Sequence, residues 1–408
     1  MSKKTGVVVA LLGMCALSLS LVSCGSSSSR PSGLLYVLSQ AATNVSSYAI
    51  DLSSGNLSLI TSNLVTTCPT PPCGLPLSIS LDPTGATALV LNQSSISSYT
   101  VHSDGSLSTA TSTSLPSGQT ALAMTRDGAG AFLFVITVPP SPTLTNQPTI
   151  SVFGTKPGST TVTPASTTLL TRVPTALSVL TFTPPGGSTQ TLLFVTSNLD
   201  LTANHNDNEL SVYAVDGAGN LTEQLNSPYT TEVNPRVVLA VNTNPPAQNT
   251  GGVFVYVGSQ GAITGAVSTF ELCTQVSQVC SQQMVSAEQL APVGSPQSVG
   301  QFPGAMLADP TNSFLYVACT GANAVYGFHM TTGTGVLTAL GPASQPTGGS
   351  PVALAMHPNF NAGAQFLYVS NNTGSSITGF NAAVTTGSLT SPLTVIFSPG
   401  APSGIAGR

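Results

Sequence analysis

Phe366-Leu367-Tyr368-Val369-Ser370 is followed by Ile377-Thr378-Gly379-Phe380 and then by Gly387-Ser388-Leu389-Thr390. The first phrase is apolar without strict alternation, which is the pattern of a strand covered on both faces. The second alternates more. In the third, Gly387 supplies the backbone freedom a tight hairpin needs before a fourth, outer strand begins. Upstream, Pro351-Val352-Ala353-Leu354-Ala355-Met356 reads as a first strand, joined to the second through a turn at His357-Pro358-Asn359. The stretch therefore predicts one four-stranded antiparallel unit.

Variants of the second-strand phrase recur as Leu35-Tyr36-Val37, Ala88-Leu89-Val90, Leu133-Phe134-Val135, Leu193-Phe194-Val195, Val255-Tyr256-Val257, Leu315-Tyr316-Val317 and Leu367-Tyr368-Val369. Seven copies at periods of 45 to 62 residues are too long for a two-helix repeat and fit four strands with loops. The hairpin glycine recurs at Gly55-Asn56-Leu57, Gly105-Ser106-Leu107, Gly219-Asn220-Leu221 and Gly335-Val336-Leu337. Lys156-Pro157-Gly158 and the loop between Cys273 and Cys280 take its place in the two remaining units. No stretch shows a sustained helical period. The expected fold is all-β: a seven-bladed β-propeller around a central channel. The series opens on a second strand, Leu34 to Leu38, and closes on an isolated first strand, Ser403 to Ala406, so three N-terminal strands and one C-terminal strand are expected to share a blade. Such a latch removes two exposed sheet edges.

Ahead of the repeats, residues 1–23 read as an export signal, with Lys3 and Lys4 before an apolar core from Val7 to Leu21. Leu21-Val22-Ser23-Cys24 resembles a bacterial lipobox, making Cys24 the expected lipidated residue and membrane anchor. Residues 24–33 then form a Ser-rich tether and 34–408 the propeller. The expected location is the cell envelope. Removing the signal leaves six basic against 13 acidic side chains, a balance that offers nothing to a phosphate backbone and excludes nucleic acid as a partner. Charged residues make up only 5% of the chain, so each one in a loop carries information. Cys68 and Cys73 bracket one short loop and Cys273 and Cys280 another, suiting two local disulfides in an oxidising compartment. Cys319, inside an apolar run, reads as a buried thiol.

The Leu-Tyr-Val phrases, the turn Asp82-Pro83-Thr84-Gly85 with its relative Asp309-Pro310-Thr311-Asn312, and the Gly-x-Leu-Thr hairpins resemble the lactonase-like family of seven-bladed propellers. That family includes 6-phosphogluconolactonase and carboxymuconate-cyclising enzymes, and the resemblance runs from Leu34 to Ala406. It implies blades and turns. No catalytic motif of the family maps residue by residue onto the chain.

In a propeller the loops between second and third strands, and those entering each first strand, share one face at the channel mouth, where function normally resides. Three features stand out there: the loop from Asn198 to Glu209, Arg172 and Arg236. One reading is lactone hydrolysis, with His205 as base, Glu209 or Asp207 orienting it, and Arg236 or Arg172 stabilising the oxyanion. Another takes Asp200, Asn204, Asp207 and Glu209 as oxygen ligands for Ca²⁺, although their spacing is not that of an EF-hand. A third is a solvated loop with structural arginines and no cofactor. His102 and His329 fall on the outer rim, His357 in a repeated turn, and Arg126 on the face opposite the mouth. Function is accordingly expected to be that of a lipid-anchored, monomeric platform for a carbohydrate or protein ligand; the alternative is a lactone hydrolase or lactonising isomerase.

Overall fold

The computed structural model describes residues 33–60, 65–184, 187–243, 252–273, 280, 289–357, 364–390, 393, 396–398 and 400–408. The export signal, Cys24 and all of the tether but Gly33 lie outside them. Seven antiparallel sheets form, as the repeats predict. Blades 2 to 7 begin with the innermost strands Pro76–Leu81, Thr120–Arg126, Arg172–Phe182, Pro235–Asn242, Pro303–Ala308 and Pro351–His357. Blade 1 takes its innermost strand, Pro402–Gly407, from the C-terminus; it pairs antiparallel with Leu34–Ser39, followed by Asn44–Ile50, whose outer edge is shared by Leu57–Leu59 and the short Val65–Thr66. This is the expected latch. Backbone bonds between Leu34 and Arg408 in both directions, at 3.0 and 2.9 Å, fasten it.

The apolar phrase is continuous because each blade is clamped between two others. In blade 1, Leu34, Tyr36 and Leu38 pack against blade 2, whereas Leu35 and Val37 pack against blade 7. Blade 6 repeats the division: Phe314, Tyr316 and Ala318 face blade 7, and Leu315, Val317 and Cys319 face blade 5. The period of two is intact, but both of its faces are interior. The core is thus seven interfaces arranged in a ring.

At four of those interfaces the two repeated motifs meet. The hydroxyl of Tyr36 donates to the Gly105 carbonyl (3.0 Å), Tyr256 to Gly335 (3.1 Å), Tyr316 to Gly387 (2.8 Å) and Tyr368 to Gly55 (2.7 Å). Each is a second-strand tyrosine reaching the hairpin of the next blade, and the last bond crosses the latch. Burial pushes the pKa of all four phenols up, so they remain donors. The residue two positions earlier packs on the same glycine: a Cβ on Gly335 would lie 2.3 Å from the Phe254 ring, and one on Gly387 2.3 Å from the Phe314 ring. Both glycines also have positive φ, at 66° and 67°. Leu89, Phe134 and Phe194 fill the tyrosine position in blades 2 to 4 and bring no hydroxyl.

Aspartates close the turns at the far end from the mouth. Asp309 accepts from the amides of Ser313 and Phe314, both at 2.7 Å, and Asp82 accepts from Thr87 (3.0 Å) and, across the interface, from Gly158 (2.6 Å). Both expected disulfides form, Cys68–Cys73 and Cys273–Cys280. Cys319 is a buried free thiol whose pKa burial pushes up to about 12.

Candidate functional site

The mouth is built to a rule. Asn234-Pro235, Phe302-Pro303, Ser350-Pro351 and Ala401-Pro402 each enter an innermost strand, and the residue before proline has φ of 59°, 54°, 59° and 39°. Its amide is held by a polar side chain from the preceding blade: Asn208 accepts from Asn234 (2.7 Å), Gln260 from Phe302, Asn323 from Ser350 (2.7 Å) and Ser375 from Ala401 (3.3 Å). A strand bulge follows the proline in blades 5, 6 and 7.

Phe302 departs from that rule in residue type. A left-handed backbone is tolerated by Asn and is an outlier for a bulky aromatic. Nevertheless its side chain is not put to use in a core: the residue is 44% exposed, and the Arg236 guanidinium carbon sits 5.4 Å from the ring centroid. Beside the pair lies Gln301, whose side-chain amide donates to the carbonyl of Ile263, 76% exposed, at 2.8 Å. An aromatic ring, a stacked cation and side-chain amides make a small amphipathic patch on blades 5 and 6. Aligning the X-Pro entries shows two exposed bulky residues, Leu75 and Phe302; only Phe302 of the two has the left-handed backbone, whose amide partner Gln260 lies in the previous blade and is not visible locally.

The residues singled out from sequence are only partly gathered. Arg172, at the start of its strand, lies 2.5 Å through Nε from Glu209 Oε2, an ion contact outside hydrogen-bond geometry, and 3.4 Å from Glu223. Burial pushes the Glu209 carboxyl above the ordinary carboxylate value; Arg172 opposes this without cancelling it, and Asp207 pushes the same way as burial. Glu223 had escaped attention because it lies on an outer strand. His205 is exposed, with Nδ1 3.2 Å from the Asn206 carbonyl oxygen and its own backbone paired to Asp200. Arg236 is committed to Phe302. Among the described residues, no hydrogen bond or ion pair joins His205 or Arg236 to Glu209.

Of the oxygen set expected for Ca²⁺, Asp207 and Glu209 stand side by side, while Asp200 is engaged within its own turn. Asp200 accepts from the Thr202 amide and hydroxyl, both at 2.6 Å, which with further help from Ala203 holds its pKa below the ordinary value. Asn204 occupies a turn at φ 49°. Among the described residues no three His, Cys, Asp or Glu side chains are arranged to hold a metal ion.

Seven blades of antiparallel strands, with Phe302 the exposed large aromatic among the described residues, define a β-propeller. The chain belongs to the lactonase, seven-bladed β-propeller family, whose model matches residues 141–407. No curated protein matches it. Among solved structures, a protein of Bacteroides uniformis provisionally assigned as a 6-phosphogluconolactonase superposes with a TM-score of 0.67 at 14% identity, covering 92% of this chain and 99% of that one. The periplasmic gluconolactonase of Pseudomonas aeruginosa gives 0.66 at 15% identity, covering 92% and 98%. A protein from Lactobacillus plantarum gives 0.64 at 15% identity, covering 92% and 99%. At such identities the likeness concerns the fold.

Proposed function

We propose that the chain is an exported, lipid-anchored propeller whose mouth binds a neutral, polyhydroxylated ligand of carbohydrate type. The observation that carries this reading is Phe302: an exposed aromatic ring in a backbone slot that elsewhere in the ring holds Asn, Ser or Ala. A sugar's C–H face stacks on such a ring while hydroxyls bond to neighbouring amides and guanidinium, here Gln301 and Arg236. A ligand with hydroxyls suits this patch because Arg172 is already paired with Glu209 and Glu223, leaving Arg236, stacked on Phe302, as a donor. The test is an array of neutral saccharides probed with the whole protein. Phe302→Ala should weaken the strongest binder by about tenfold or more, as loss of a central aromatic anchor does. Equal binding by wild type and variant would refute the assignment.

Lactone hydrolysis is the second reading, favoured by one observation: Glu209, whose carboxyl burial raises above its ordinary value and which lies beside Asp207 and Arg172. In that case Glu209→Gln would abolish turnover. Anchoring at Cys24, supported by the lipobox and the tether behind it, predicts that labelled fatty acid enters the expressed protein and fails to enter Cys24→Ser; equal labelling of the two would remove the anchor.

A further inference from the structure

The innermost strands of blades 2, 3 and 6 border a cavity of about 610 Å³ toward the end of the channel opposite the mouth, lined by Ser78, Ser80, Met124, Arg126, Met306 and Leu307 among others. Its volume is in the range of small-molecule sites. Arg126 ends its strand there. Nε and both terminal nitrogens of its guanidinium are buried, and none has a hydrogen-bond partner among the described residues; the Ser78 hydroxyl is in the same condition. The contrast with Arg172, which has two carboxylates, is sharp.

Two aspartates are near enough to act on Arg126 through space; both oxygens of Asp82 and one of Asp127, which itself lines the cavity, are engaged elsewhere. Asp127 accepts from the Phe132 amide at 2.7 Å, and Asp82 from the Thr84 hydroxyl at 2.7 Å and the amides of Thr87 and Gly158. Burial lowers the pKa of Arg126 and the aspartates raise it back in part. A guanidinium removed from water with its donors unmatched is costly, and the cost is relieved by an acceptor that can take two parallel N–H bonds. The aspartates make the surroundings unfavourable to a multiply charged anion. The walls supplied by Met124, Met306 and Leu307 suit a carbon skeleton.

We propose that this end of the channel binds a small organic monocarboxylate, toward which the Arg126 guanidinium and the Ser78 hydroxyl turn out of their buried positions to pair with the carboxylate, its skeleton lying against the two methionines and Leu307. The site is separate from the mouth patch, which lies at the strand entries, and does not depend on the reading given to Phe302.

The experiment is calorimetric titration of the whole protein with sodium butyrate and sodium gluconate, and with sodium phosphate at matched ionic strength, alongside thermal unfolding in each. At least one carboxylate is expected to bind saturably and raise Tm. Arg126→Gln should weaken that binding by about ten- to a hundredfold and Ser78→Ala by about three- to tenfold, the range for losing bonds to a charged partner or a neutral one. Arg126→Gln should also unfold, without carboxylate, no earlier than wild type. Absence of saturable carboxylate binding, binding that survives Arg126→Gln, or tighter binding of phosphate would each overturn the proposal. Ser78→Ala carries the test should Arg126→Gln fail to fold, and undiminished binding by it would count against the site.

Discussion

A tyrosine hydroxyl and a glycine carbonyl are the smallest unit that joins one blade to the next. At Tyr316 and Gly387 the bond is 2.8 Å long and buried. Tyr316→Phe would keep the ring packing and strand the carbonyl, so chemical denaturation should register a loss of about 1–3 kcal/mol; no loss would mean that the bond contributes nothing beyond the aromatic contact. Asp82 makes a second residue-scale prediction. Burial pushes its carboxyl up, yet the bonds from Thr84, Thr87 and Gly158 outweigh burial and leave it below the ordinary value. The folded pKa being depressed, its stabilisation is complete above the ordinary carboxylate pKa of about 3.9 and is lost as pH falls through the lowered value. Asp82→Asn should therefore be less stable near neutrality and show a shallower decline of stability on acidification below about pH 4. An acid-unfolding profile identical to wild type would contradict this. Phe302 belongs to the same scale, where the sequence was least informative: its Phe-Pro pair announces a strand entry, while the left-handed backbone is held by the Gln260 side chain 42 residues away in the preceding blade.

Among elements, the Gly-x-Leu hairpin was legible as a turn, and that is half of its role. Its glycine must also admit the ring of the preceding blade, a requirement set by a partner about 80 residues away in blade 5 and so invisible in the hairpin itself. Two variants separate the halves. Gly118 has φ 78° with nothing within 4 Å of an added Cβ, whereas Gly335 has φ 66° with the Phe254 ring 2.3 Å away. Gly118→Ala should cost about 1 kcal/mol from the backbone alone, and Gly335→Ala about 2–4 kcal/mol once overpacking is added. Equal losses in equilibrium unfolding would show that the glycine serves the turn only. The strands themselves were read correctly because a doubly buried strand has a signature, a continuous apolar run, that does not depend on which neighbour covers it.

Over the whole molecule, the repeat predicted blade number, strand order and latch, since each follows from counting one phrase and noting which strand is missing at either end. The candidate site was less legible because charge in a loop does not reveal partners: Arg172 and Glu209 do meet, but Arg236 turns to Phe302, His205 to solvent, and Glu223 enters from an outer strand. On the proposed reading, that arrangement separates recognition at the mouth from lactone hydrolysis. The measurement that bears most directly on the separation is acid release from gluconolactone, followed at constant pH with wild type and Glu209→Gln against a protein-free blank. On this account all three rates are equal while the mouth retains its saccharide binding; a wild-type rate above the blank that Glu209→Gln removes would contradict it.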